Sequence, residues 1–228
     1  MAIRFRIQGD LRFISHHDTM RLFERALSRA QLPVRFSEGF NPRPRMSLPL
    51  PRPVGVATAA DMLVFELCEP ITASETLRRL REQMPGGLEL LEAIELQPDR
   101  KLHPEQVVYE VEVPPTQVAQ VWEAVQRVLS SERWIIERTG HRRQSVRSID
   151  LRPLLIEASI QSGVLRWSCR TPDTGSARPG EWLEAFGLDP AEMLHRVRRT
   201  AVEWENLQTT AQPPAQETSF APAQANSD

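Results

Sequence analysis

Polar and apolar residues alternate through IRFRI near the start of the chain, which predicts a strand, and the alternation breaks at Gly9-Asp10 before LRFI. Ser15 followed three residues later by Asp18 has the form of a capping box and predicts a helix running to about Ala30. The apolar face of that helix is Met20, Phe23, Ala26, Leu27 and Ala30, while Arg21, Arg25 and Arg29 recur at every fourth position on the opposite side. Pro33 ends it, since proline lacks the amide that a further turn needs. Beyond a strand around Phe36, MLVFELCE predicts another strand and SETLRRLREQM a helix. The turn Pro85-Gly86-Gly87 then leads into a strand at LELLEAIEL.

The second half repeats this plan with additions. VVYEVEVP predicts a strand, TQVAQVWEAVQRVL a helix and RWIIERT a strand. LLIEASIQ and VLRWSCRT are joined across Ser162-Gly163 as a hairpin, and a short helix at GEWLEAFGL precedes a last strand at HRVRRTAVEW. From Glu205 onward the chain is Gln, Thr, Ala and Pro without periodicity, the composition of disorder. The expected architecture is α+β, two tandem ferredoxin-like (βαββαβ) lobes over residues 1–98 and 106–204. The second is decorated, and a disordered tail covers 205–228.

With 228 residues, 40% of them apolar, the chain can bury a core without a metal or disulfide staple. No apolar run approaches a spanning helix, and MAIRFRIQGD lacks the apolar stretch of a signal peptide, so the expectation is a cytoplasmic protein with no membrane contact. Cys68 and Cys169 both fall in apolar, strand-like segments and are expected as core thiols. No CxxC or CxxxCxxC is present, so a cluster or four-cysteine zinc has no ligand set here.

Charge changes the picture more than composition does. Residues 1–52 carry ten Arg against four acids, residues 53–132 six basic against fourteen acidic, and residues 133–152 six Arg against two acids. The net charges are therefore +6, −8 and +4 along a chain that sums to −2. Lys101 is the sole lysine in an otherwise all-arginine basic set, and arginine forks onto phosphate and stacks on bases.

The segment SEGFNPRPRMSLPLP, Ser37 to Pro51, concentrates this chemistry. Pro42 and Pro44 push Asn41 and Arg43 towards extended geometry. Alternation then puts Asn41, Arg43, Arg45 and Ser47 on one side and Phe40, Met46, Leu48 and Leu50 on the other. One face is expected to hold an anion through Asn41, Arg43 and Arg45, extended by Arg21, Arg25 and His17. Gly39, Phe40, Pro42 and Pro44 would anchor the loop. The bland reading, a proline-rich connection with solvated arginines, stands beside it. Arg138, Arg142, Arg143 and Arg147 form a second basic patch, and Arg196, Arg198 and Arg199 mark the last strand. Phe36, Phe40 and Trp167 are the rings available for base stacking, although Phe36 and Trp167 fall in expected strands, where a ring is ordinarily core.

His16 and His17 open the first helix, but 100° per residue sends His16 to the Phe23 side and His17 towards Arg21 and Ser28. They cannot chelate one metal. His16 is expected to pack, and His17 to meet solvent or substrate. His103, His141 and His195 have no carboxylate or cysteine at ligand spacing. Glu66, Glu69, Glu110 and Glu112 alternate as one solvated sheet face would, and no GxSxG, GxGxxG, HExxH or Walker motif occurs.

The stretch GDLRFISHHDTMRLFERALSRAQLPVRFSEGFNPRPRMSLPLPRPVGV resembles the radical-SAM-linked DUF2344 family. Its pattern is G-D-L-R-F-x-S-H-x-D, a helix with R-x-x-x-R, then S-x-G-F-N-P-x-P. The positions carried over are Gly9, Asp10, Arg12, Ser15, His16, Asp18, Arg21, Arg25, Gly39, Phe40, Asn41, Pro42 and Pro44. The resemblance implies a radical SAM protein as partner, with the iron–sulfur cluster and S-adenosylmethionine held there and no cofactor in this chain. A weaker similarity, in plan alone, is to CRISPR RNA-processing proteins of the RAMP type, whose glycine-rich C-terminal loop is missing here. The expectation is a non-catalytic accessory module that binds RNA or another phosphate-bearing substrate through an arginine-rich groove. A metal-independent ribonuclease using His16 or His17, and a protein-docking adaptor that binds no nucleic acid, are the alternatives.

Overall fold

Most of the expected strands form, and most of those share one sheet; the strand expected around Phe36 is present only as isolated bridges at Val34 and Phe36. The computed structural model describes residues 1–97, 101–139, 146–172, 175–205 and 207. In chain order the elements are β1 (Ala2–Ile7), α1 (His16–Arg29), β2 (Met46–Ser47), β3 (Ala57–Phe65), α2 (Ala73–Arg81) and β4 (Leu88–Ile94). They continue with β5 (Pro104–Glu112), α3 (Val118–Ser130), β6 (Ile135–Thr139), β7 (Val146–Asp150), β8 (Leu155–Gln161), β9 (Val164–Arg170), α4 (Pro179–Ala185), α5 (Pro190–Met193) and β10 (Arg198–Trp204). The expected tail over 205–228 falls, apart from Glu205 and Leu207, outside the described residues.

The pairing path is β4–β1–β3–β10–β5–β9–β8, with β2 on the far end of β3 and β6–β7 a separate two-stranded sheet. The first half thus pairs in the order β4–β1–β3–β2 and the second in the order β10–β5–β9–β8, each antiparallel throughout. The β6–β7 hairpin is inserted between α3 and β8. The two halves meet where β10 runs parallel to β3, and this junction is only two residue pairs long, Arg198 with Ala57 and Arg199 with Thr58. Beyond it β3 takes β2 along its edge and β10 follows β5.

Helices cover one face. Under α1 and α2 lie Ile3, Phe5, Ile7, Leu63 and Phe65, packed against Phe23 and Leu27 of α1, with Phe5 and Phe23 edge to face at 5.0 Å. In the second half Val121, Val125 and Val128 of α3 meet a stack of Tyr109, Trp167, Phe186 and Trp182, whose successive rings lie 5.3, 6.0 and 5.8 Å apart. Across the other face, Ala2, Met62, Leu102 and Trp204 form a third cluster behind the junction.

Local chemistry sets the boundaries. Gly9 at φ +61° turns the chain out of β1 into a 3-10 turn over Gly9–Phe13, which is why the alternation in LRFI produces no strand. The Ser15 hydroxyl accepts from the Asp18 amide at 3.1 Å and donates to the Asp18 carboxylate at 2.7 Å, which caps α1 as the sequence predicts. That hydroxyl and Arg21 hold the Asp18 carboxyl below its ordinary pKa. Cys169 is buried, and burial pushes its thiol up to about 12. Cys68 was expected in the core too, but it lies just past the end of β3 and is exposed.

Candidate functional site

The proline-rich segment leaves α1 through Pro33 and becomes a hairpin standing on the end of β3. The Cys68 amide donates to the Pro33 carbonyl at 2.7 Å, and Val34 bridges Leu67. Three backbones then meet at one point. Arg35 N–H donates to the Glu66 carbonyl, Glu66 N–H to that of Arg45, and Arg45 N–H to that of Arg35, at 2.8, 3.0 and 2.8 Å. Outward from this junction Phe36 bridges Pro44, the Ser37 amide donates to the Arg43 carbonyl at 2.8 Å, and the Arg43 amide donates to the Ser37 hydroxyl at 3.0 Å. Proline suits positions 42 and 44 because the amides of Arg43 and Arg45 supply the cross-hairpin bonds and those of 42 and 44 are not needed. Gly39, at φ +130°, makes the reversal.

The expected alternation holds in part. Met46 and Leu48 pack against the first core, and Arg43, Arg45 and Ser47 are exposed. Phe40 was expected to anchor the loop and does not: at the tip its ring is 106% exposed, with no core within reach of the reversal. Phe36, where a buried ring was the ordinary expectation, is 51% exposed, because its strand is an edge raised off the sheet. Trp167 is fully buried in the second core and offers no face to a ligand.

Side chains repeat the backbone junction. Arg35 and Arg45 both approach the Glu66 carboxylate, at 3.6 and 3.4 Å. Two cations on one carboxylate leave an excess of positive charge at the hairpin base, and the exposed Arg43 guanidinium, with no ion pair among the described residues, adds to it. Arg21 and Arg25 are exposed on α1, where Arg21 pairs with Asp18 at 3.7 Å. The hairpin starts beyond the C-terminal end of α1, so Arg21 lies roughly 13 Å back along the helix from Ala30. The helical arginines and the hairpin arginines are therefore not brought together by any contact among the described residues.

Beside the hairpin base opens a cleft of about 1360 Å³. It lies at the end of the sheet where β3, β4 and β9 finish and β5 begins, between the two halves. Leu50, Val64, Leu96 and Leu102 line it, with Arg35, Arg45 and Lys101 as cationic side chains and Glu66, Glu69 and Glu95 as carboxylates. Among the expected site residues that are described, Arg45 alone lines this cleft.

The residues carried over from the family pattern split between the two ends of β3, about 27 Å apart along a strand of this length. Gly9 to Asp18 sit at its start, where the Gly55 amide donates to the Arg12 carbonyl at 2.8 Å. Arg52 holds this end. Its Nη1 donates to the carbonyls of Arg12 and Val56 at 2.6 and 2.7 Å, and its Nη2 to those of Leu11 and Ile14 at 3.4 Å each. Burial lowers its pKa, Asp61 opposes that and Arg199 adds to it, yet a guanidinium remains charged. His17 is exposed. His16 is half-buried beside Arg52 and Asp61, and burial, then His17, hold its pKa below 6.5, so the imidazole is neutral at pH 7.

Arg199 is not part of a basic patch. Its side chain is 1% exposed and pairs with Asp61 at 2.7 Å, while also reaching the Pro51 carbonyl at 3.1 Å and the Tyr109 hydroxyl at 3.4 Å. Burial works against its charge, but the Asp61 carboxylate more than offsets this and raises the pKa. Thr58 donates to the same Asp61 oxygen at 2.7 Å. A hint of this lock is a lone acid inside the apolar run ATAADMLVF. Arg138 likewise is bound, by Glu181 at 2.7 Å and the Ser176 carbonyl at 3.0 Å. Arg147 is exposed across from it, and Arg142 and Arg143 lie outside the described residues.

Among the described residues no group of three or more His, Cys, Asp or Glu is placed to hold a metal, and no helix is long and apolar enough to cross a membrane. No curated protein matches the chain. A family model described as an uncharacterized protein conserved in bacteria matches residues 1–179, a span that includes both ends of β3 and the whole hairpin, and the chain belongs to that family, DUF2344.

Proposed function

We propose that this protein is a non-catalytic accessory module that binds RNA or another phosphate-bearing substrate and presents it to a radical SAM enzyme, in which the cluster and S-adenosylmethionine reside. The observation that carries the reading is the hairpin. Its base is fixed by three interlocked backbone bonds, and its outer half offers Arg43 and the rings of Phe36 and Phe40 to solvent. Fixed cations with exposed rings are what a single-stranded nucleic acid needs, phosphate contact for affinity and a stacking surface for the bases. The recurrence of one pairing order in both halves supports reading the scaffold as two ferredoxin-like lobes joined at β3 and β10.

The test is RNA binding by fluorescence anisotropy at several salt concentrations. Replacing Arg43 and Arg45 by Ala is expected to weaken binding and flatten the logarithmic salt slope by about 0.7 to 0.9 for each phosphate that no longer meets a guanidinium. Unchanged affinity and slope would overturn the assignment. The ribonuclease reading draws on His16, neutral at pH 7 and set at a helix N-terminus. RNA cleavage by the wild type that disappears in a His16→Ala, His17→Ala variant would replace the accessory reading with that one. Co-purification with a radical SAM protein and no retention of RNA would favour the docking adaptor.

A further inference from the structure

The chain is joined across its middle at one end of the sheet and open at the other. At the closed end two residue pairs and the Arg199–Asp61 ion pair hold the halves together. At the open end β3 and β10 part, Met62, Leu102 and Trp204 fill the gap on one face, and the cleft begins where that filling stops. Resting on the reading above, we infer that this cleft receives an unstacked nucleotide of a single-stranded RNA whose backbone lies along the hairpin.

Size comes first. At about 1360 Å³ the cleft exceeds the roughly 300 to 1,000 Å³ of small-molecule pockets, which leaves room for a nucleotide together with the backbone on either side of it. The lining chemistry narrows the class. Leu50, Val64, Leu96 and Leu102 provide apolar wall for a base, and Arg35, Arg45 and Lys101 stand at hand for its phosphates. Glu66, Glu69 and Glu95 offset those cations, so two continuous rows of phosphate would meet three carboxylates. A splayed base instead brings amino groups, which donate to carboxylates. A duplex would also leave the exposed rings of Phe36 and Phe40 without a stacking partner, because its bases are already stacked. The single strand satisfies rings, wall and carboxylates together.

The experiment titrates the full chain into a short mixed-sequence RNA carrying one fluorescent adenine analogue, single-stranded or annealed to its complement. Ser47, exposed on β2 and lining the cleft, is changed to Trp to narrow it and obstruct entry of a base; Lys101→Glu, at an exposed site, reverses a rim charge without touching the core. The wild type is expected to bind the single strand in preference to the duplex and to change the analogue's emission. Ser47→Trp should abolish that emission change and weaken affinity about five- to a hundredfold while keeping the salt slope, and Lys101→Glu should weaken binding and flatten the slope. Circular dichroism melting confirms that each variant is folded. If Ser47→Trp melts early, the Lys101→Glu result decides. Duplex bound as tightly as single strand, or RNA bound equally by wild type and both cleft variants while Arg43→Ala weakens it, overturns the cleft inference and leaves the hairpin reading intact. No RNA binding by the wild type at any salt overturns both.

Discussion

Replacing Asp61 by Ala should do more damage than any surface charge change in this protein. The Asp61 carboxylate lies 2.7 Å from Arg199 Nη1, both side chains are at most 5% exposed, and Arg52 is buried close enough to feel both charges. Truncation leaves two guanidiniums in the interior, with backbone carbonyls and a tyrosine hydroxyl around them and no carboxylate paired with either among the described residues. Removing one member of a buried pair costs about 3 to 5 kcal/mol, since the remaining charge keeps its desolvation penalty and loses its partner. For a chain of this size that corresponds to a fall in melting temperature of about 6 to 20 °C. Urea unfolding reads it directly, with far-ultraviolet circular dichroism for the sheet and fluorescence from the buried Trp167, Trp182 and Trp204 for the core. The midpoint should drop with little change in slope. The double variant Asp61→Leu, Arg199→Met removes both charges of the pair and should recover part of the loss, because an apolar pair carries no desolvation penalty while Arg52 stays buried without Asp61. An Asp61→Ala cost below about 1 kcal/mol, the range of a solvated pair, would show that water reaches this junction and that the two residues do not lock it.

Two further outcomes follow from geometry elsewhere. His16 has a folded-state pKa below 6.5, so between that value and 6.5 the unfolded chain binds the proton and the folded chain does not. Its contribution is complete above pH 6.5, is lost as pH falls from there, and levels off below the folded pKa. Urea midpoints for wild type and His16→Gln between about pH 8 and pH 5 check this, and identical pH profiles would refute it. At Gly87, φ is +88° and an added Cβ would lie 2.9 Å from the Gln8 carbonyl, next to the bond the Gln8 amide makes to the Gly87 carbonyl. Gly87→Ala should cost about 1 to 3 kcal/mol in the same unfolding assay. Gly86→Ala, whose Cβ meets nothing within 4 Å, should be neutral or gain up to about 1 kcal/mol. Equal effects at the two glycines would dismiss the steric account.

Periodicity carried most of the secondary structure. The α1 stripe, the Pro85-Gly87 turn and the hairpin at Ser162-Gly163 are local features, and local patterns record them. What periodicity could not carry was which charges are in contact. Arg198 and Arg199 are neighbours in one arginine-rich stretch, yet one is exposed and the other is among the most buried side chains in the molecule. The difference comes from a partner on β3 far away in sequence. The hairpin was legible as stiff and basic. Its ring positions were not, because alternation assumes a strand lying on a core, and this one stands clear of it. The residues quoted for the family resemblance read as one block but fold to opposite ends of a strand, which a linear motif cannot express.

The two-residue joint between β3 and β10 also has a consequence in time. Arg199 reaches Asp61 only after everything between Phe65 and Arg198 has been made, on the order of ten seconds of synthesis at typical rates. Until then the edge of β3 at Ala57 and Thr58 has no partner strand, and Asp61 and Arg52 lack their third member. The first half of the nascent chain therefore emerges with the acid of its central ion pair and one end of a strand edge awaiting the last strand to be made.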